Sequence, residues 1–140
     1  MAVTAKLYGL IFSSLGNKEV DLNSDTIKVS LHTSSYTPNQ DTHQYWDVSV
    51  TNEASGSGYT AGGATIGTPT FSYDGPSNTF KFDGNDVAWA SNTVTARTAV
   101  VYDSTPASNK PLIMYVDFGA DITPLSLTWD ANGLFTVTVA

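Results

Sequence analysis

Thr95-Ala-Arg-Thr-Ala-Val-Val-Tyr102 and Pro111-Leu-Ile-Met-Tyr-Val-Asp-Phe-Gly119 are two apolar, β-branched and aromatic runs. Between them lies Asp103-Ser-Thr-Pro-Ala-Ser-Asn-Lys110, rich in residues that stop strands and form turns. The pattern predicts an antiparallel hairpin with a loop of roughly eight residues, longer than the common tight turns. Strict alternation sets Val94, Ala96, Thr98 and Val100 against Thr95, Arg97, Ala99 and Val101. In the second strand it sets Leu112, Met114, Val116 and Phe118 against Ile113, Tyr115 and Asp117. Both strands are too apolar to leave one face in water. The hairpin belongs in the middle of a sheet covered on both sides.

Outward from it, the chain reads as a succession of short strands. Ile27, Val29 and Leu31 alternate with Thr26, Lys28, Ser30 and His32, which predicts a half-buried strand. Phe71, Tyr73, Phe80 and Phe82 flank the turn Asp74-Gly-Pro-Ser-Asn78 and fall at the spacing of one aromatic face. Val87 and Trp89 share a side of the next strand, from Asp86 to Ala90. Leu125–Trp129 and Leu134–Val139 are joined by Asp130-Ala-Asn-Gly133, whose Asn-Gly pair favours a left-handed hairpin turn. Gly62 and Gly63 fit a bulge or a close backbone approach. At the N-terminus Val3, Leu7, Leu10, Ile11 and Leu15 sit at helical spacing. They predict an amphipathic helix over about 4–15, capped by Thr4 and stopped by Gly16-Asn17, with Gly9 weakening it. The expected fold is all-β, an antiparallel sandwich or barrel of eight or nine strands with one N-terminal helix, forming a single domain over 1–140.

Composition narrows the function classes. The net charge is −7, and the six cations (Lys6, Lys18, Lys28, Lys81, Arg97 and Lys110) are scattered singly, which argues against nucleic acid as the main partner. Without cysteine there is neither a disulfide, a thiolate metal site nor a Cys nucleophile. The apolar run Leu7–Leu15 is too short to span a bilayer, so the expectation is a protein made in a cytoplasm, without a signal peptide or membrane partner.

The chemistry-bearing residues form no recognisable constellation. His32 and His43 have no neighbour at metal-ligand spacing, and Asp83-Gly-Asn-Asp86 lacks the continuation of a calcium loop. No cofactor is implied. Asp and Glu sit mostly in turns, where they cap the local backbone, although a pair of carboxylates across a cleft would suit a glycosidase. Arg97, the sole arginine, lies inside an apolar strand, and the expected partner for its guanidinium is Asp117 in the facing strand. The longest irregular stretch, 33–58, contains Tyr36, Tyr45 and Trp46. Asp41 is placed to cap a short helical turn there through Tyr45 and Trp46. These three aromatics are the candidate interface, since aromatic side chains bury large area at low entropic cost, and packing within the domain is the competing use.

Ala5-Lys-Leu-Tyr8, Asn17-Lys-Glu-Val20 and Ser24-Asp-Thr-Ile-Lys-Val-Ser-Leu31 resemble, in that order, a family of small structural proteins of tailed bacteriophages. The likeness continues through Gly58-Tyr-Thr-Ala-Gly-Gly-Ala-Thr65, the two runs of the central hairpin, and Leu127-Thr-Trp-Asp-Ala-Asn-Gly133. The connection Asp121-Ile-Thr-Pro-Leu125 departs from it, being short where a longer Gly/Ser-rich loop belongs. The resemblance implies a non-enzymatic virion component, foremost a capsid-surface decoration (cement) protein, with a tail, neck or head-fibre part as the alternative. Its implied partners are other virion proteins, the major capsid protein first, and copies of itself. A glycan- or receptor-binding module is the competing class; it calls for an exposed aromatic platform.

Overall fold

A computed structural model describes residues 2–139. In chain order the elements are β1 (Thr4–Leu7), α1 (Ile11–Gly16), β2 (Ile27–His32), α2 (Trp46–Ser49), β3 (Ala64–Thr65), β4 (Thr70–Asp74), β5 (Thr79–Asp83), β6 (Val87–Ala88), β7 (Ala96–Asp103), β8 (Leu112–Ile122), β9 (Ser126–Leu127) and β10 (Phe135–Thr138). The fold is all-β and its pairings are antiparallel. A five-stranded sheet has the order β1-β8-β7-β2-β3, a three-stranded sheet the order β10-β5-β4, and β6 pairs with β9. The central hairpin is β7–β8, with β2 on its other flank, and β7 is buried along nearly its whole length.

Two bulges shape that hairpin. Val101 faces Met114 but Tyr102 faces Leu112, so Ile113 is an extra residue on β8. Ile113 therefore joins Met114 in the main core, where strict alternation had them on opposite faces. A wider break lies between the pairs Ala96–Ile122 and Thr98–Asp117, with Gly119 at φ 76° inside it.

The main core fills one side of the large sheet. Ile27, Val29 and Leu31 of β2, Ala99 and Val101 of β7, and Ile113, Met114, Val116 and Phe118 of β8 meet Phe82 of β5, Val87, Trp89 and Leu134. Phe71 and Phe135 pack against its margin. Phe71 and Tyr73 lie opposite Phe82 and Phe80, so the aromatic face predicted for β4 and β5 is formed. It grades from the fully buried Phe82 to the half-exposed Tyr73.

The helix over 4–15 is corrected to a strand followed by a shorter helix. Residues 4–7 pair with β8, from Thr4 opposite Asp117 to Leu7 opposite Met114, and Tyr8 N–H continues the ladder to the Ile113 carbonyl at 3.0 Å. An isolated three-turn helix containing glycine is marginal, whereas the backbone groups along the outer edge of β8 need partners. Helix is left only for Ile11–Gly16, which turns Ile11 and Leu15 to the core, and Lys18 rather than Asn17 takes the left-handed conformation after it, at φ 61°.

The C-terminal hairpin is also corrected. The turn at Asp130–Gly133 forms, with Gly133 N–H bonded to the Asp130 carbonyl at 2.8 Å. Its flanks diverge, however: β9 pairs with β6 and β10 with β5. A Cβ on Gly133 would crowd the Phe82 carbonyl oxygen, so the turn is pressed against β5. Gly63 makes the close approach expected of the paired glycines, since a Cβ there would overlap the Val29 carbonyl, and its φ is 88°.

Candidate functional site

The second face of the large sheet carries the unusual chemistry. Alternation directs Ser30 and His32 of β2, Thr98, Val100 and Tyr102 of β7, and Tyr115 of β8 away from the main core. The strand β2, expected to be half-buried, is almost wholly buried because segment 33–58 folds back over this polar face. Beneath it Tyr8, Tyr36, Val100, Tyr102 and Leu112 form a second cluster, against which Trp46, Val50 and Tyr115 pack.

Backbone and side chains lash this segment down. Thr33 N–H bonds the Asn52 carbonyl at 3.0 Å, Ala54 N–H the Leu31 carbonyl at 2.8 Å, and Leu112 N–H the Gln44 carbonyl at 2.9 Å. Asn39, not Asp41, caps the turn at 39–43, its Oδ1 accepting from Asp41 N–H and Thr42 N–H. The helix α2 begins later, at Trp46, with no side-chain cap. Asp47 in its first turn accepts the N–H groups of Asn109 and Lys110 at 2.9 and 2.8 Å, tying it to the β7–β8 loop.

Two polar chains run under the segment. In the first, His32 Nδ1 lies 2.8 Å from the Thr51 carbonyl, so that nitrogen carries the proton and Nε2 is the acceptor. Ser30 Oγ donates to Nε2 at 2.8 Å and accepts the Trp46 indole N–H at 2.9 Å. In the second, Asn39 N–H donates to His43 Nδ1, which leaves Tyr36 OH to donate to the same nitrogen at 3.0 Å and Tyr8 OH to donate to Tyr36 at 2.8 Å. Burial holds both imidazoles below their ordinary pKa and pushes the Tyr8 and Tyr36 phenols up. Tyr59 OH is held between Glu53 Oε1 at 2.7 Å and Leu31 N–H at 2.9 Å.

A serine hydroxyl donating to an imidazole is the contact of a nucleophile with its base. Here Ser30 and His32 are sealed, at 0% and 1% exposure, and one lone pair of Oγ is taken up by Trp46. The geometry serves as a latch between β2 and α2. Alternation along β2 places Ser30 and His32 side by side, and that was the sequence signal available for the pair.

The three candidate interface aromatics are mostly turned inward, which corrects their reading as a contact surface. Tyr36 is 3% exposed, and the Trp46 ring stacks on Tyr102 with centroids 4.6 Å apart and planes 10° from parallel. Tyr45 is part-buried, its OH donating to Glu19 at 3.0 Å. A phenol or indole costs free energy when buried without a partner, and each finds one within this chain. The large apolar side chains left in water on the segment and on α1 are Val48, 67% exposed, and Phe12, 51% exposed.

Arg97 Nε donates to Asp117 Oδ1 at 2.7 Å, each side chain about one-third exposed. Strict alternation would direct these side chains to opposite faces, because Asp117 lies opposite Thr98, and the wide bulge re-aims Arg97. Asp117 also accepts Gly119 N–H at 2.8 Å. The guanidinium and this N–H hold the carboxyl below its ordinary pKa, and the bond to Asp117 raises that of Arg97. The pair borders a cleft of about 190 Å³ with Ser34, Tyr36, Thr37, Pro38 and Thr98. Among the described residues no three His, Asp or Glu side chains are grouped to hold a metal, and no helix is long and apolar enough to cross a membrane.

Comparison of the chain with protein-family models, curated proteins and solved structures gave no match.

Proposed function

We propose that this chain is a non-enzymatic structural component of a tailed-phage virion, docked on the capsid surface as a decoration protein. The observation that carries the reading is the ordered series of sequence motifs from Ala5 to Gly133 that resembles that family. The geometry supports it through the fastening of 33–58: the histidines and the tyrosines Tyr8 and Tyr36 are spent in bonds within the chain. The aromatic platform that a glycan-binding module calls for has its rings against the sheet. A rigid, acidic surface docks by shape and by repetition, modest affinity per copy being multiplied by avidity.

The contact to the major capsid protein passes through the outer side of the 33–58 segment and the adjoining α1. Gln44 Nε2 donates to Ser14 Oγ at 3.4 Å and Tyr45 reaches Glu19, so the two regions are linked, with Phe12 and Val48 their exposed apolar side chains. The test is binding of purified chain to particles that lack it, followed by imaging of the particle. Saturable binding at repeated capsid positions, lost in a folded Phe12→Ser, Val48→Asp variant, supports the reading. Density confined to a tail or neck moves the protein to that part of the virion, and particles that never bind it overturn the proposal.

A further inference from the structure

At the end of the main core, away from the covered face, two carboxyl groups meet. Ile27 lies opposite Asp103 in the β2–β7 ladder, and the carboxyl of Asp25, in the turn leading into β2, lies within hydrogen-bonding reach of the Asp103 carboxyl. Asp103 is 0% exposed. Its Oδ1 accepts Thr105 N–H at 2.9 Å, while Oδ2 is buried and has no donor within the structure. Asp25 Oδ2 accepts Asp21 N–H at 2.7 Å. Around the two carboxyls the chain is cross-tied: Thr26 N–H bonds Thr105 Oγ1 at 2.7 Å, and Ser104 gives both its N–H and its hydroxyl to the Thr26 carbonyl at 2.9 Å.

The charged groups nearby offer no relief. Lys18, Glu19 and Asp21 line the same groove as Asp25. Lys28 of β2 lies opposite Tyr102, on the other face of the sheet. Lys110 of the loop gives its ammonium to the Ala107 carbonyl, and Asp47 of α2 is occupied by loop N–H groups. Among the described residues the ion pairs are Lys81–Asp83 and Arg97–Asp117, so neither carboxyl has a cation bound to it. A buried carboxylate oxygen without a donor is costly, and a proton held between two carboxyls removes that cost.

We infer that Asp25 and Asp103 share one proton and form a clasp between the 21–25 turn and the β7–β8 loop, closed below neutral pH and loosened above it. Burial first, and then the bond to Asp25, push the Asp103 carboxyl up to about 7. The sign follows from proton linkage. A folded-state value raised above the unfolded 3.8 adds stability that is complete below the unfolded value and is lost as pH rises through about 7. When the proton leaves, two like charges face each other at the base of a loop whose Thr105 and Pro106 form one rim of a groove of about 620 Å³. That groove, walled on its other side by residues 18–23, Asp25 and Phe71, is what the clasp opens.

The test compares the thermal midpoints of the full chain and of Asp103→Asn from about pH 5 to about pH 8.5 and reads their difference, in which the histidines common to both proteins cancel. The wild-type midpoint should fall relative to that of Asp103→Asn as pH rises across this range, because the amide supplies a permanent donor to Asp25. Should the variant fail to fold, the carboxyl ¹³C shift of Asp103 in the wild type decides: a transition near neutrality supports the clasp, and ionisation complete by about pH 5 overturns it. A difference between the two proteins that does not change with pH also overturns it. So does a wild-type midpoint raised by millimolar calcium at the alkaline end and reversed by chelator, which makes the pair a cation site.

Discussion

The two faces of the five-stranded sheet are buried by different physics. On one, mainly aliphatic and phenyl side chains from all the sheets close the core, with Trp89 and Tyr59 the polar-tipped members among them. On the other, tyrosines, an indole and imidazoles are buried under an irregular segment, and each must be aimed at a partner: Trp46 at Ser30, Tyr36 at His43, Tyr102 at the Gly62 carbonyl. Apolar burial scales with area and tolerates small shifts, whereas a buried polar group is favourable only while its hydrogen bond is made. The first face therefore sets how stable the protein is, and the second fixes the conformation of a 26-residue segment that has little regular structure of its own.

Truncating the first face should do the most damage. Phe82 is 0% exposed at the junction of the sheets, and Phe82→Ala should cost about 3–5 kcal/mol in denaturant unfolding, in line with large-to-small core changes. On the second face, Tyr36→Phe keeps the ring and breaks the Tyr8–Tyr36–His43 chain, leaving the His43 acceptor and the Tyr8 donor short of a partner. We expect a smaller loss of about 1–2 kcal/mol, with hydrogen exchange quickening over 33–52 and unchanged in β2 and β7. If Tyr36→Phe destabilised the whole chain as much as Phe82→Ala, the division between the faces would be wrong.

The first face was far more legible in the sequence than the second. Alternation in 27–31 carries the core directly, since apolar burial leaves a period-two trace, but in 94–101 the core takes Val94 and Ala96 and then Ala99 and Val101, because the register shift between Ala96 and Thr98 breaks the alternation. Ile113 escaped because a bulge costs one residue of register and leaves no mark on composition. The N-terminal strand escaped for a related reason: apolar residues at helical spacing are a local signal, and the pairing partner for 4–7 lies more than a hundred residues away. On the second face, Arg97 and Asp117 were legible as opposite charges on facing strands. The orientation of Tyr36 and Trp46 was not, because an aromatic in a loop reads the same whether it faces the sheet or the solvent.

Acid should separate the faces as well. His32 and His43 have folded-state pKa values depressed by burial, so the stability they report is complete above the unfolded value of 6.5 and is lost as pH falls below it. A proton on His43 Nδ1 opposes the Asn39 N–H and turns the tyrosine chain around. Amide spectra recorded from about pH 7 down to about pH 5 should shift first in 33–52, with a midpoint set by the imidazoles, while the interior amides of β7 hold their positions. This change lies on the opposite side of neutrality from that of Asp103, so the two ends of the sheet respond to pH in opposite senses. Shifts starting in β7 instead would mean that the main core, not the covered face, senses acid.

The smallest expected effect belongs to Arg97. Its bond to Asp117 is short, but both side chains are about one-third exposed, and water and salt screen such a pair. Asp117 keeps the Gly119 N–H when the guanidinium is removed, so Arg97→Ala leaves no stranded buried charge. The thermal midpoint of Arg97→Ala should stay close to that of the wild type, and the remaining difference should shrink in high salt. A large loss that salt does not alter would mean that Arg97 acts through packing beside Tyr36, Pro38 and Thr98, making it part of the covered face. An unchanged midpoint with loss of particle binding would assign the outer side of the guanidinium, of which only Nε is engaged by Asp117, to a neighbouring subunit. The bulge that turns Arg97 toward Asp117, three extra residues on β8 between Asp117 and Ile122, would then be the feature that presents it.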